Sequence, residues 1–579
     1  MSSSQMRQSI MLKNFEQPMI RSGSEGLYSS YTQFVKKAKK DGEVVYVGNE
    51  YIIVQYIDNE IEIFNISYRK IYVGNMDLFS IYVSPGDKFK SGDILAESNY
   101  CKNGKINIGR NLITAVMPYY GYNYEDGIVI SDKLVNENIF TSIHYKELSF
   151  VLPSNRVLLS LSDDNYKPLP NLLETITVGN PYAIIKEMSE NDLTSPFNKE
   201  VIIKANTNLL ITEAEIYPNE WNNEIPEFKK WVEETIEKQK DESNVLNKII
   251  RDNLEKVEAE TFIREQNLNK FTYTNKFKIK GERINGIFVK MFAAFSRKIK
   301  VGDKIANRHG NKGVISQIVP FDKMPKTEDG RNVDICINPM GIISRMNLGQ
   351  LFELELSASL YDLKKTTKDM LDSGKDQLEI KKYLLGYIKI VDNTRDGWYY
   401  QQFEEQLPNI IDQKFINDFT LIQAPFESVT YPQLKEALTY TNTKETQVLY
   451  DPVSKENVVN KIAVGQIYFF RMVHIADDRL AARGIGAYSR RTLQPLGGRK
   501  NKGGQRCGEM ETACLIGHDA PKNLFEFFTT KSDCIDLKNQ YIKKYVDTDL
   551  IEFPKECDEV PESIKLLNAY FTVIGIDHQ

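Results

Sequence analysis

Between residues 43 and 130, apolar positions alternate with polar ones or gather into short runs (VVYV, YIIVQYI, IEIFNI) separated by Gly, Asn and Asp. Alternation with period two places successive side chains on opposite faces of a sheet, so this stretch is expected to be mostly β-strand. VSPGDKFKSGDILAES, at 83–98, carries the two turns PGD and SGD and has the pattern of a sandwich hairpin. A carrier domain has the same look, but no MKM-type or DK-type modification lysine stands at a hairpin tip.

The pattern changes at Pro226, which stands at an expected helix start. It leads into EFKKWVEETIEKQKDESNVLNKIIRDNLEKVEAETFIREQ, rich in helix formers. Phe228, Val232, Leu246, Ile249, Ile250, Leu254 and Val257 keep only partial helical spacing, which fits a projecting helical arm better than a core helix. A solvated helix with no partner is the plainer alternative. GERINGIFVKMFAAFSRKIKVGDK returns to strands. After Glu355 the chain is expected to be helical through SASLYDLKKTTKDMLDSG and QLEIKKYLLGYI, and VLYDPVSKENVVNKIAVGQIYFF reads as a hairpin turning at 451–455.

At 579 residues the chain suggests three or four domains, and 41% hydrophobic residues are enough for substantial cores. Mean hydropathy is -0.40, no run approaches a membrane span, and the first residues, MSSSQMRQSIML, lack the apolar core of a signal peptide; a soluble protein is expected. The six cysteines form no CxxC pair, which argues against structural zinc and suits reduced cytosolic thiols. A net charge of -5 runs against nucleic-acid binding, but its distribution does not. From Arg479 to Arg506 there are eight lysines and arginines and no acid. A local basic track matters more to a polyanion than the total, because charges beyond about 10 Å are screened at moderate salt.

The densest candidate chemistry lies at 301–316, VGDKIANRHGNKGVIS. Gly302, Gly310 and Gly313 permit close backbone approach to a ligand, and Lys304, Arg308, His309 and Lys312 supply positive charge against the single acid Asp303. The spacing is not that of a Walker loop. Alone, the stretch is equally an ordinary basic hairpin. Related patterns recur far apart: MPYYGYNYEDGIVIS at 117–131 with Glu125 and Asp126, NPMGIISRMNLGQLFE at 338–353 with Arg345, VGQIYFFRMVHIADDRLAARGIGAY at 464–488 with His474, and LGGRKNKGGQRCGEME at 496–511.

In this order, these motifs resemble the C-terminal half of the β subunit of multisubunit DNA-directed RNA polymerases. SSQMRQSI at 3–10 looks like the family's internal SNMQRQAV segment, and PESIKLLNAYFTVIGI at 561–576 like its C-terminal clamp helix. Met1 falls where an ordinary β chain is in mid-sequence, so the resemblance implies a split subunit of the kind found in giant (jumbo) bacteriophages. The RHGNKG and NPMG-SRMN spellings are closer to the bacterial and phage form than to the archaeal one.

The resemblance implies an α+β multidomain chain with a double-psi β-barrel core, a flap, a hybrid-binding region and a C-terminal clamp segment. The expected divisions are 1–40 beside the split point, 41–132 as the first β-rich hybrid-binding and barrel part, 133–283 as a flap-like insertion with a long helical arm, 284–495 as the second barrel part with hybrid-binding region, and 496–579 as the clamp or anchor. The implied reaction is in-line attack of an RNA 3′ hydroxyl on the α-phosphate of a nucleoside triphosphate, with two Mg2+ ions stabilising both oxygens. The primary metal triad, NADFDGD, is absent here, so Mg2+ is expected mainly on a β′ chain and no activity is expected from this chain alone.

By resemblance, Lys304 and Lys312 contact the RNA 3′ end and nucleotide phosphates, Arg345 holds the triphosphate, and His474 lies near the same phosphates. Glu125 and Asp126 approach the second, nucleotide-borne Mg2+ through water. Arg7 and Gln8 line the RNA, with Arg308, His309, Arg490, Arg491, Arg499, Lys500, Lys502 and Arg506 as further nucleic-acid contacts. Two departures stand out: Ser4 replaces the family's Asn, and Cys507 its usual aromatic. Implied partners are an N-terminal β fragment, one or two β′ chains, DNA template, RNA, NTPs and a promoter-specificity factor, with no membrane. The implied location is the cytoplasm of a phage-infected bacterium, with packaging in the virion left open. A β-derived non-catalytic regulator and a stand-alone nucleic-acid-binding protein are the alternatives.

Overall fold

The computed structural model describes residues 2–32, 34–48, 51–66, 69–72, 75–77, 79–162, 165–187, 200–219, 225–253, 278–279, 282–283, 285–408, 410–484, 486–548 and 560–576. These form two compact units, Met1–Ala476 and Asp477–Gln579.

At the centre of the first unit is a closed six-stranded barrel. Its strands are β1 (Arg110–Val116), β2 (Gly127–Ser131), β3 (Lys304–Asn307), β4 (Lys312–Val319), β5 (Ile335–Ile337) and β6 (Val464–Arg471), in the spatial order β1-β5-β2-β4-β3-β6. β1 pairs parallel with β5, and β2 with β4, while β6 closes the barrel antiparallel to both β1 and β3. The interior is filled by Ile128, Ile130, Ile305, Ile315, Ile335, Ile467 and Phe469, all nearly inaccessible to water. Strands covered on both faces read as continuous apolar runs, which is why GIVIS and IYFF look uninterrupted in sequence.

Between β2 and β3 the chain leaves the barrel. It forms a four-stranded sheet from Ser142–Leu152, Gly286–Arg297, Leu209–Asn219 and Thr175–Ile176, and a three-stranded one from Arg156–Leu158, Pro181–Glu187 and Glu200–Lys204. The helix expected at Pro226 is present as Pro226–Asn253. Its first turns differ from a free arm: Phe228 and Val232 are buried in the core of this insertion, because they fall four residues apart on one face. Leu254 and Val257 lie outside the described residues. Upstream, where strand was expected, Gly42–Val47, Tyr51–Tyr56, Ile61–Asn65 and Lys88–Phe89 make an antiparallel sheet.

The segment between β5 and β6 is largely helical. Helix α1 (Pro339–Arg345) is capped by Asn338, whose side chain accepts the Met340 N–H at 3.0 Å. Helix α2 (Gly349–Asp372) starts six residues before the expected Glu355 and packs on β6. Approach is so close that a Cβ on Gly465 of β6 would lie 2.0 Å from the Leu354 carbonyl oxygen. Helix α3 (Gln377–Val391) packs on α2 through Leu360, Leu363, Ile380, Leu384 and Ile388. The hairpin expected at 451–455 is present between Tyr450–Asp451 and Glu456–Asn457.

The second unit has helices Glu509–Gly517, Pro521–Phe528, Ile535–Thr548 and Glu562–Val573 after a long loop. Within it, Asp533 accepts the Ser563 N–H and hydroxyl at 2.8 and 2.6 Å.

Candidate functional site

The barrel's registers bring distant motifs into one row. Gly127 at the start of β2 pairs with Val314 of β4, Val314 pairs with Lys304 of β3, and Ile305 pairs with Arg471 at the end of β6. Glu125 and Asp126 therefore sit beside the basic loop, and His474 sits just beyond Arg471. The Asp126 carbonyl accepts the Val314 N–H at 2.9 Å, and a Cβ on Gly313 would come within 2.4 Å of that carbonyl oxygen. Only glycine at 313 allows this approach.

Lys304 and Lys312 face the same side of the β3-β4 hairpin, since Lys304 opposes Val314 and Ala306 opposes Lys312. Diagonal neighbours of this kind are separated by about 7–8 Å, close enough for one phosphate group or two adjacent ones to meet both ammonium ions. The opposite face of the hairpin carries Ile305 and Gly313, both buried. Arg345, in the last turn of α1, reaches Asp126 at 2.7 Å, with both side chains roughly half exposed. Exposed pairs contribute little to stability. The guanidinium retains open donors for an anion, and the pair joins two motifs more than two hundred positions apart.

His474 is held by its backbone and its ring. Its carbonyl accepts the Lys304 N–H at 3.2 Å, and Nε2 lies 3.0 Å from Oε1 of Gln8. Gln8 returns the contact through its own carbonyl, which accepts the Val473 N–H at 2.9 Å. Lys304, His474 and Gln8 thus form one group, with exposed Arg7 alongside.

Arg308 and His309 are placed differently from the open phosphate contacts expected. Both are engaged by Glu353 of α2: Arg308 Nη2 lies 2.6 Å from Oε1, and the His309 ring bonds Oε2. Arg308 also lies over the Tyr468 ring at 5.2 Å. Buried Asn307 completes the scaffold, its Oδ1 accepting the N–H groups of His309 and Asn311 at 3.0 and 3.2 Å and its amide donating to Gln350 at 2.9 Å. Gln5 donates to the Gly310 carbonyl at 3.2 Å and ties the first helix, Ser2–Met6, to the loop. Sequence reasoning missed Gln5, Asn307, Gln350 and Glu353; a Gln and a Glu on the helix face that also carries Leu354 were the available signal.

Burial alone would raise the Glu353 pKa, but the nearby Arg308 charge and then the His309 hydrogen bond outweigh it and hold it down, at about 2. A carboxylate depressed below its unfolded value stabilises the fold above that value, near 4.5, and loses the contribution as pH falls toward 2. The urea midpoint should therefore drop between pH 4.5 and 2, by the equivalent of about 1–3 kcal/mol. Glu353→Gln should flatten this part of the profile, and an unchanged profile would remove the assignment.

In the second unit, Arg490, Arg491, Arg499, Lys500, Lys502 and Arg506 are all exposed on the 487–506 loop. The loop is closed by a bridge between Gly497 and Gly504 and by Arg483, which donates to the Lys502 and Ala487 carbonyls at 2.8 and 3.0 Å. Arg483 and Lys538 flank the Tyr488 ring at 5.1 and 4.9 Å.

Among the described residues no group of three or more His, Cys, Asp or Glu side chains is arranged to hold a metal ion, and no helix is long and apolar enough to cross a membrane.

The family model for RNA polymerase Rpb2, domain 6, matches residues 38–501, and that for domain 7 matches 503–579. The chain is similar over its whole length to the DNA-directed RNA polymerase subunit beta of Cyanidium caldarium (30% identical, covering 47% of that protein) and of Thermus thermophilus (30%, 48%). The same subunit of Borrelia garinii subsp. bavariensis is 30% identical, with 43% covered. The chain thus spans less than half the length of these curated relatives.

Proposed function

The chain belongs to the RNA polymerase β (Rpb2) family, and from that premise we propose that it forms the C-terminal part of a β subunit in a DNA-directed RNA polymerase. The observation that carries the reading is the meeting of Asp126, Arg345, Lys304, Lys312 and His474 around one edge of the barrel. In the proposed chemistry, Arg345 clamps the incoming triphosphate, and Lys304 and Lys312 offset charge on the transferring phosphoryl group. His474, oriented by Gln8, adds a donor beside the same phosphates. Gln8 and Arg7 border the RNA.

The pair Glu125 and Asp126 fits Mg2+ held through water: both are exposed hard-oxygen donors, and Asp126 already shares its charge with Arg345. Bound there, the ion would neutralise nucleotide phosphate charge. The primary Mg2+ site is assigned to a β′ chain. The reading includes the double-psi character of the barrel, the flap role of 133–283 and the clamp role of 496–579. Exposed cations on the 487–506 loop are assigned to sequence-independent phosphate contacts. Partners are an N-terminal β polypeptide in a phage-type split subunit, one or two β′ chains, DNA, RNA, NTPs and a promoter-specificity factor, in the cytoplasm of an infected bacterium.

The test is co-expression with candidate N-terminal β and β′ chains, purification through a tag on this chain, and Mg2+-dependent RNA extension on a primed scaffold. Extension is expected only with all partners present. If they assemble without extending RNA, the non-catalytic regulator is preferred. If none assembles and this chain alone retains nucleic acid, it is a stand-alone binder.

A further inference from the structure

The turn that carries Glu125 and Asp126 is built under constraint. At its base the buried Asn123 side chain donates to the Met117 carbonyl at 2.7 Å and accepts the Tyr119 N–H at 2.9 Å. Two residues in it take left-handed backbone conformations that L side chains rarely adopt, Tyr120 at φ 46° and Glu125 at φ 52°. Each such conformation is disfavoured by itself and persists only where its surroundings determine it.

For Tyr120 those surroundings are visible. Its ring is more than half exposed, so burial does not explain its placement. Its hydroxyl bonds Oδ2 of Asp451, and its ring meets Tyr119 edge-on at 5.0 Å. Asp451 is itself fixed: Oδ1 accepts the Val453 N–H at 3.0 Å, and its carbonyl accepts the Lys455 N–H at 2.8 Å. One residue earlier, Tyr450 exchanges both backbone bonds with Lys326, at 2.8 and 2.9 Å. The bond to Asp451 raises the Tyr120 pKa, so the phenol stays protonated and donates.

We propose that Tyr120 is a positioning residue: by donating to Asp451 it ties the strained carboxylate turn to the 450–457 hairpin and sets where Glu125 and Asp126 stand toward the nucleotide. The inference rests on the polymerase reading of this site. Asp126 has a second tie through Arg345, whereas Glu125, five residues from Tyr120 and exposed, depends on the turn's shape. Losing the Tyr120 bond frees the turn without removing a charged group from the site.

The experiment uses the assembled complex with Tyr120→Phe, measuring extension against NTP and against Mg2+ together with the urea midpoint. The expected result is a roughly tenfold rise in KM for NTP and in the Mg2+ requirement, the scale of one hydrogen bond to a charged group. The urea midpoint and saturated rate should stay near wild type. Asp451→Asn should come closer to wild type than Tyr120→Phe, because an amide can still bond the phenol oxygen. An active wild-type complex whose Tyr120→Phe form keeps its KM and Mg2+ dependence overturns the inference alone. A fall in urea midpoint with unchanged KM overturns it too, as a purely structural bond. An inert wild-type complex overturns the polymerase reading and the inference with it.

Discussion

Replacing Arg471 by methionine is expected to destabilise the barrel unit by about 3–5 kcal/mol, the usual cost of leaving one member of a buried ion pair without its partner. Arg471 and Asp303 are each 1% exposed and lie 2.6 Å apart. The guanidinium also donates to the carbonyls of Phe140, Arg297 and Lys298 at 3.0, 2.8 and 3.2 Å and to the Ser142 hydroxyl at 2.9 Å. It thereby satisfies backbone groups from both sides of the insertion where the chain leaves and re-enters the barrel. Asp303 accepts the Lys300 and Ala476 N–H groups at 3.0 and 2.9 Å. Methionine would fill much of the volume but leave an uncompensated carboxylate and several carbonyls without donors. Urea unfolding followed by far-UV circular dichroism should show an earlier midpoint for the barrel transition. Arg471→Met with Asp303→Leu should recover part of the loss, because removing both charges lifts the desolvation penalty. A single variant that unfolds with the wild type would show that the pair is dispensable.

Lys312→Ala in the assembled complex should lower the rate of RNA extension by about 10²- to 10³-fold, the usual effect of deleting one preorganised donor to developing charge. Its fold should survive, because Lys312 is only partly buried and β4 is held by Gly313, Ile315 and Val319 beneath it. Lys304→Ala is expected to act similarly, though its backbone also anchors His474 and Met472. Lys312→Arg retains charge but presents a planar fork in place of a compact ammonium, and should recover only part of the rate. Single-turnover extension on a primed scaffold reads the effect. Lys312→Ala within about twofold of wild type would place the residue away from the chemistry.

Local patterns carried the secondary structure well. Tyr51–Tyr56, the 450–457 hairpin and the helix start at Pro226 follow from alternation, turn residues and a proline at the first helical position. They could not reveal that Val314, beside its hairpin partner Lys304, pairs with Gly127 on its other side, because register between strands as distant in sequence as β2 and β4 is set by barrel closure. Among the candidate site residues, Asp126, Arg345, Lys304, Lys312, His474 and Gln8 gather as one neighbourhood. Arg308 and His309 had the same basic character in sequence, yet Glu353 captures them. That capture depends on α2 lying across the hairpin: Gln350 and Glu353 mark a polar spot on the helix, but no local pattern says which residues it meets. Likewise, nothing local marks Asp303 and Arg471 as the buried pair, since one looks like a turn acid and the other like a cation at a strand end.

The barrel's strand order also bears on how the chain is made. β1 emerges from the ribosome well ahead of β6, its antiparallel partner, which follows only after more than three hundred further residues have been synthesised. The insertion between β2 and β3 has its own buried core and can form in that interval. Until Val464–Arg471 appears, β1 and β3 each keep an open edge, the kind of surface that pairs with other chains. A nascent chain stalled before residue 464 would hold most of the site's basic and acidic residues in an unclosed sheet, so aggregation, not reduced catalysis, is the hazard that late closure brings.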